Sequence, residues 1–94
     1  MALYLISYDI AEKDAFEYKP LWARLEELGA VKILYSEWAM VADTGQASNI
    51  YGQISTLTQI KDRLLVQELT KDARWDKLLA SDDTFQNLLT HARG

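Results

Sequence analysis

The sequence predicts a small α+β fold, and three observations carry that expectation. The apolar positions follow strand periodicity in some stretches and helix periodicity in others. The two kinds alternate in the order strand, helix, strand, strand, helix, strand, followed by a helical tail. All of this fits in 94 residues, the length of one domain, so the chain is expected to be a single domain spanning 1–94 with a core of about 2–70 and a helical tail of about 73–92.

The first strand covers residues 2–10. Tyr4, Ile6, Tyr8 and Ile10 point to one side, and Leu3, Leu5, Ser7 and Asp9 to the other. Both sides begin apolar, the mark of a strand covered on both faces, since a face open to water would carry polar residues. Residues 11–17 are polar and read as a loop. Tyr18, Leu21, Trp22, Leu25 and Leu28 then recur at helical spacing up to Gly29, a suitable C-cap, with Pro20 expected in the first turn, where its missing N–H costs little.

Residues 31–42 (VKILYSEWAMVA) are extended but long for one strand, and the alternation slips near Ser36-Glu37, so two short strands separated by a kink, a bulge or a tight bend are expected. Asp43-Thr44-Gly45 is a turn. Ala47, Ile50, Tyr51, Ile54 and Leu57 mark a second helix, and RLLVQEL, residues 63–69, a last strand. The tail predicts a short helical turn over Trp75–Leu79. A final helix follows over about 83–91, striped by Phe85, Leu88, Leu89 and Ala92 and capped by Ser81 or Asp82.

Two strand–helix–strand halves of this kind make a ferredoxin-like βαββαβ arrangement, an antiparallel sheet with helices on one face, here extended by a helical C-terminal tail. The other sheet face then needs a cover. A second copy of the chain is the economical candidate, and the tail folding across it is the other.

Composition narrows the function classes. With 49% hydrophobic and 11% aromatic residues the chain can build a core. It has no cysteine, which removes disulfides, thiolate catalysis and cysteine-ligated metals together. The apolar start is short, lacks a basic leader and reaches Asp9 quickly, so it reads as neither a signal peptide nor a membrane span; a soluble, cytoplasmic protein with no membrane partner is expected. The net charge is −4, and the acidic excess lies in residues 1–47. Such a chain is a poor non-specific binder of phosphate backbones, because that binding comes from Lys and Arg releasing counterions. Lys61, Arg63, Lys71, Arg74 and Lys77 form the densest basic stretch, but Asp62, Glu68, Asp72 and Asp76 interleave with them, as on a solvated mixed face.

The strand ending in Tyr8-Asp9-Ile10, the amphipathic helix ending at Gly29, the segment Tyr35-Ser36-Glu37-Trp38 and the strand Arg63-Leu64-Leu65-Val66 together resemble the CRISPR-associated protein 2 family over roughly residues 2–70. The resemblance implies a ferredoxin-like homodimer with the aspartate after the first strand near the two-fold axis. It implies either a metal-dependent phosphodiesterase, an Mg²⁺-dependent endoribonuclease or endodeoxyribonuclease acting on RNA or DNA, or a structural adaptor in spacer acquisition. By position Asp9 becomes the metal-binding and catalytic residue and Ser36 its neighbour in the site. The chain departs from the family in carrying Glu12, Asp14 and Glu17 where basic residues are common, and a helical tail where a further strand is usual.

Each candidate also has a plainer reading. Asp9 can merely end its strand and cap the loop. A magnesium ion accepts one or two carboxylates when a phosphate joins, and a two-fold axis could bring two Asp9 residues together. Ser36 at a strand bend can be structural, His91 has no triad partners in sequence, and Tyr4, Tyr8, Trp22 and Trp38 can be core or interface rather than a base-stacking platform. Three functions follow: the magnesium-dependent nuclease or adaptor, a non-catalytic dimeric module that binds a protein partner, and a small-molecule enzyme, marked by a closed apolar pocket with convergent polar groups.

Overall fold

The computed structural model describes residues 1–9, 15–57, 63–69 and 74–93, and of residues 15–18 and 93 the backbone alone. The strand-face position of Ile10, the polar stretch 11–14, the helix-face role of Tyr18, and Lys61 and Lys71 of the basic stretch lie outside that description. The elements are β1 (Ala2–Asp9), α1 (Ala15–Glu27), β2 (Val31–Leu34), β3 (Glu37–Ala42), α2 (Ala47–Ile54) running into a 3₁₀ turn at Ser55–Leu57, β4 (Arg63–Leu69) and α3 (Asp82–Arg93). The strands form one sheet in the order β2-β3-β1-β4. Every neighbouring pair is antiparallel. This is a small α+β arrangement compatible with a ferredoxin-like fold. No helix of the described residues is long and apolar enough to cross a membrane.

Helix α1 starts earlier than the apolar periodicity predicts, so Pro20 sits inside it rather than in its first turn. The added turn begins at Ala15 and carries one charged residue, Glu17, so the regular apolar stripe does not mark the start; Pro20 then forfeits one internal backbone bond. The helix ends as expected. Gly29 takes φ 81°, its N–H donates to the Glu26 carbonyl at 3.0 Å, and the Ala30 N–H donates to the Leu25 carbonyl at 2.9 Å. That double closure needs a left-handed residue, which glycine supplies without a Cβ penalty.

The bend expected near Ser36 is a tight turn at Tyr35-Ser36, and the β2–β3 register shifts between Lys32 and Leu34. The helical turn expected over Trp75–Leu79 is absent; the segment runs through bends, with Lys77 at φ 56°. Tertiary contacts overrule local propensity there. The Leu79 N–H donates to the Ile33 carbonyl at 2.8 Å, and the Trp75 ring meets Phe85 edge-on at 4.7 Å. Ser81 caps α3 as read from the sequence, its Oγ accepting the Thr84 N–H at 3.1 Å, with Asp82 and Asp83 in the first turn favoured by the helix dipole.

The alternation in β1 builds two cores. Tyr4, Ile6 and Tyr8 join Trp38 and Met40 beneath Leu21 and Leu25 of α1 and Ile50 and Ile54 of α2. On the opposite face Leu3 joins Ile33 and Ala39 beneath Phe85 and Leu89 of α3. The cover over Leu3 is therefore the chain's own tail, not the second copy that economy favoured. Leu3, Tyr4 and Ile6 are each at most 1% exposed, so β1 is the element both layers depend on. At about 1.5–3 kcal/mol per buried side chain, these three outweigh any surface contact in the molecule.

Tyr4 also carries a polar junction. Its hydroxyl accepts the Gln46 N–H at 2.8 Å, and its single proton is shared between the Asp43 carbonyl at 2.7 Å and the Glu68 carboxylate at 3.0 Å. Glu68 also accepts the Gly45 N–H at 3.1 Å. The turn leading into α2 is thereby tied to β1 and β4 together.

Candidate functional site

Asp9 is the last residue of β1, directly opposite Arg63, the first residue of β4. Their side chains meet at 2.8 Å, with 64% and 82% of their side-chain surfaces exposed. Two positions back, Ser7 lies opposite Glu37 of β3 and donates its hydroxyl hydrogen to that carboxylate. On its other side Ser7 faces Leu65, which is 53% exposed. These are odd positions of β1 with their cross-strand partners, so they share the α3 side of the sheet, beyond the residues that α3 packs against. A shallow depression of about 250 Å³ runs along them, lined by Ser7, Tyr8, Asp9, Arg63, Leu64 and Leu65.

Ser36 is exposed in the β2–β3 turn, and its carbonyl accepts the Tyr8 N–H at 3.0 Å. The structure thus brings the Asp9 and Ser36 segments side by side through the backbone. The side-chain pairs it forms there are Asp9 with Arg63 and Ser7 with Glu37. Sequence reasoning placed Arg63 on a mixed charged face and singled out neither Ser7 nor Glu37. Strand alternation marks Ser7 as a polar residue in an apolar run, but its partner depends on register between strands far apart in sequence.

An exposed ion pair of this kind contributes about 0–1 kcal/mol, so it is a mobile surface contact. It also limits the chemistry. A hard divalent ion seeks several oxygen ligands, whereas among the described residues Asp9 is the only carboxylate lining the depression and faces a guanidinium. Among the described residues no three His, Cys, Asp or Glu side chains gather as a metal cluster. Among the described residues, one carboxylate at this end of the sheet does not by itself make a resident Mg²⁺ site.

The aromatic residues named as a stacking platform are core. Tyr8 and Trp38 are 5% and 4% exposed. The Tyr8 hydroxyl accepts the indole N–H of Trp22 at 2.8 Å and of Trp38 at 3.2 Å. Trp22 is half-buried with the Lys32 ammonium 4.3 Å from its ring centroid. Tyr4 is fully enclosed. None of the three inner rings can receive a base. His91 is exposed on α3, its Nδ1 at 2.7 Å from the Asn87 carbonyl, as expected of a surface residue.

A second hollow, of about 500 Å³, separates the sheet from the tail. Leu5, Ile33, Trp75 and Phe85 line its apolar part, and Glu37, Arg74 and Asp76 its polar part. It is open to solvent and so differs from the closed pocket that small-molecule chemistry calls for. No protein-family model matches the chain.

Proposed function

We propose that the chain is a ferredoxin-like βαββαβ module related to the CRISPR-associated protein 2 family, and that it works as a homodimeric adaptor for a protein partner rather than as a nuclease. Two kinds of support meet in this reading. The Tyr8-Asp9 and Tyr35–Trp38 segments that carry the family resemblance are neighbours in space, joined by the Tyr8–Ser36 backbone bond. The observation that favours the adaptor over the hydrolase is the engagement of Asp9 by Arg63 at 2.8 Å. A guanidinium beside Asp9, the one carboxylate lining the depression among the described residues, competes there with a cation. The net charge of −4 points the same way, favouring a protein partner over a nucleic-acid backbone.

The test is a cleavage assay on RNA and on DNA, single- and double-stranded, with and without Mg²⁺, using the natural chain and Asp9→Ala. The expected result is no metal-dependent cleavage by either chain. Cleavage that requires Mg²⁺ and disappears in Asp9→Ala would restore Asp9 as a metal ligand, with Ser36 beside it, and overturn the adaptor reading.

A further inference from the structure

Two indoles, a carboxylate and an ammonium meet where α1 passes the β2 edge of the sheet. Trp22 and Glu26 stand one turn apart on α1 and so share a face of that helix. Across from them β2 contributes Lys32, directly opposite Trp38 of β3. With Ala30 and Val31 these residues line a hollow of about 340 Å³, open to solvent. It lies on the side of the sheet that α1 and α2 cover, away from Asp9 and Arg63.

Its aromatic walls are held in place. Trp22 and Trp38 both direct their indole N–H groups to the Tyr8 hydroxyl, at 2.8 and 3.2 Å. Those bonds limit how far each ring can turn, so the half-buried Trp22 ring is a preorganised surface. Trp38, at 4% exposed, is the inner wall. One cation already sits there. The Lys32 Nζ stands 4.3 Å from the Trp22 ring centroid, within reach of a cation–π contact. Among the described residues no ion pair includes Lys32 or Glu26. The ring thus holds an ammonium unaided, while the carboxylate of the same hollow keeps its charge unmatched. An aromatic face, such a carboxylate and apolar walls suit a bulky, weakly hydrated cation.

We propose that this hollow binds a quaternary ammonium group, carried on a free small molecule of the choline type, and that Lys32 is its built-in competitor. The primary ammonium of Lys32 is compact and strongly hydrated, so it gains little by leaving water further. A quaternary ammonium has no N–H to keep hydrated. Its methyl groups pack against Ala30 and Val31 while its charge lies over Trp22 and near Glu26. Lys32, on its flexible stem, returns to solvent when the ligand takes its place. An exposed cation–π contact favours the lysine-occupied form about two- to fivefold, so Lys32 lowers the apparent affinity about three- to sixfold. The site stands whether or not the chain is an adaptor.

The test is an NMR titration of the isotope-labelled chain, following the indole N–H signals of Trp22 and Trp38. The probes are choline and dimethylbutanol, its uncharged isostere in which carbon replaces the nitrogen. Choline should shift both signals saturably, and the alcohol should bind about tenfold more weakly. Lys32→Ala should tighten choline binding about three- to sixfold. Glu26→Gln should weaken it about two- to fivefold, and Trp22→Leu, read at Trp38, should abolish it. Equal binding of the alcohol overturns the cation site, as does the lack of a saturable choline shift in Lys32→Ala. Weaker binding by Lys32→Ala than by the natural chain overturns the competitor role. A peptide carrying one trimethyllysine is the second arm, and binding tighter than that of choline would overturn the free small molecule as the source of the group.

Discussion

On the face beneath α1 and α2, two helices supply the cover, α2 lying against β4, the strand that follows it, and even the polar atoms are paired, with the indoles of Trp22 and Trp38 both donating to Tyr8. On the opposite face the cover is α3, at the far end of the chain, and it reaches Leu3, Ile33 and Ala39 but not the end that carries Ser7, Asp9 and Leu65. One face is closed along its length and the other over part of it. The difference separates the part of the sheet that holds the molecule together from the part left open to solvent.

The largest test of this contrast is a matched pair of truncations. Leu25→Ala, beneath the closed face, should lower the unfolding free energy by about 3–4 kcal/mol, whereas Leu89→Ala, beneath α3, should cost about 2–3 kcal/mol, because a single helix beside an open cleft can settle into the void. Urea titration monitored by circular dichroism reads both. Equal losses would mean that α3 closes its face as firmly as the two core helices close theirs.

A smaller effect is expected at the polar junction. Tyr4→Phe leaves the Gln46 N–H without its acceptor and should cost about 1–2 kcal/mol. Burial pushes the Tyr4 phenol above its ordinary value of 10.0; the Glu68 carboxylate pushes in the same direction, and the Gln46 N–H opposes them. A folded-state value above the unfolded one gives stability that is whole below pH 10.0 and is lost as the pH rises through the folded value. Unfolding titrations between neutral and strongly alkaline pH should therefore fall more steeply above that point for the natural chain than for Tyr4→Phe. Parallel slopes would remove Tyr4 as their cause.

The smallest change belongs to the open end. Arg63→Ala breaks the Asp9 ion pair, yet thermal unfolding should shift by no more than about 0.5 kcal/mol, because both groups are well exposed. A larger loss would make the pair part of the scaffold rather than of an open surface.

Much of the architecture was legible in the residues. The two-sided apolar pattern of β1, the slip at Ser36-Glu37, the glycine after α1 and the serine before α3 each announce a local event governed by nearby chain. Two local expectations failed: Pro20 lies within α1 because the helix begins at Ala15, ahead of the regular apolar stripe, and the tail before α3 bends because Ile33 and Phe85 hold it. The candidate site was legible by half. Asp9 is visible as a carboxylate ending an apolar strand, but Arg63 lies 54 residues away in sequence, and only strand register sets them opposite each other.

The amino-acid order alone determined which stretches alternate with period two and which with a helical period, because those periods belong to the backbone. It also determined that both faces of the first strand must be buried. What buries the second face and which carboxylate meets which guanidinium were decided by tertiary structure, since each depends on the packing of segments that no local pattern links.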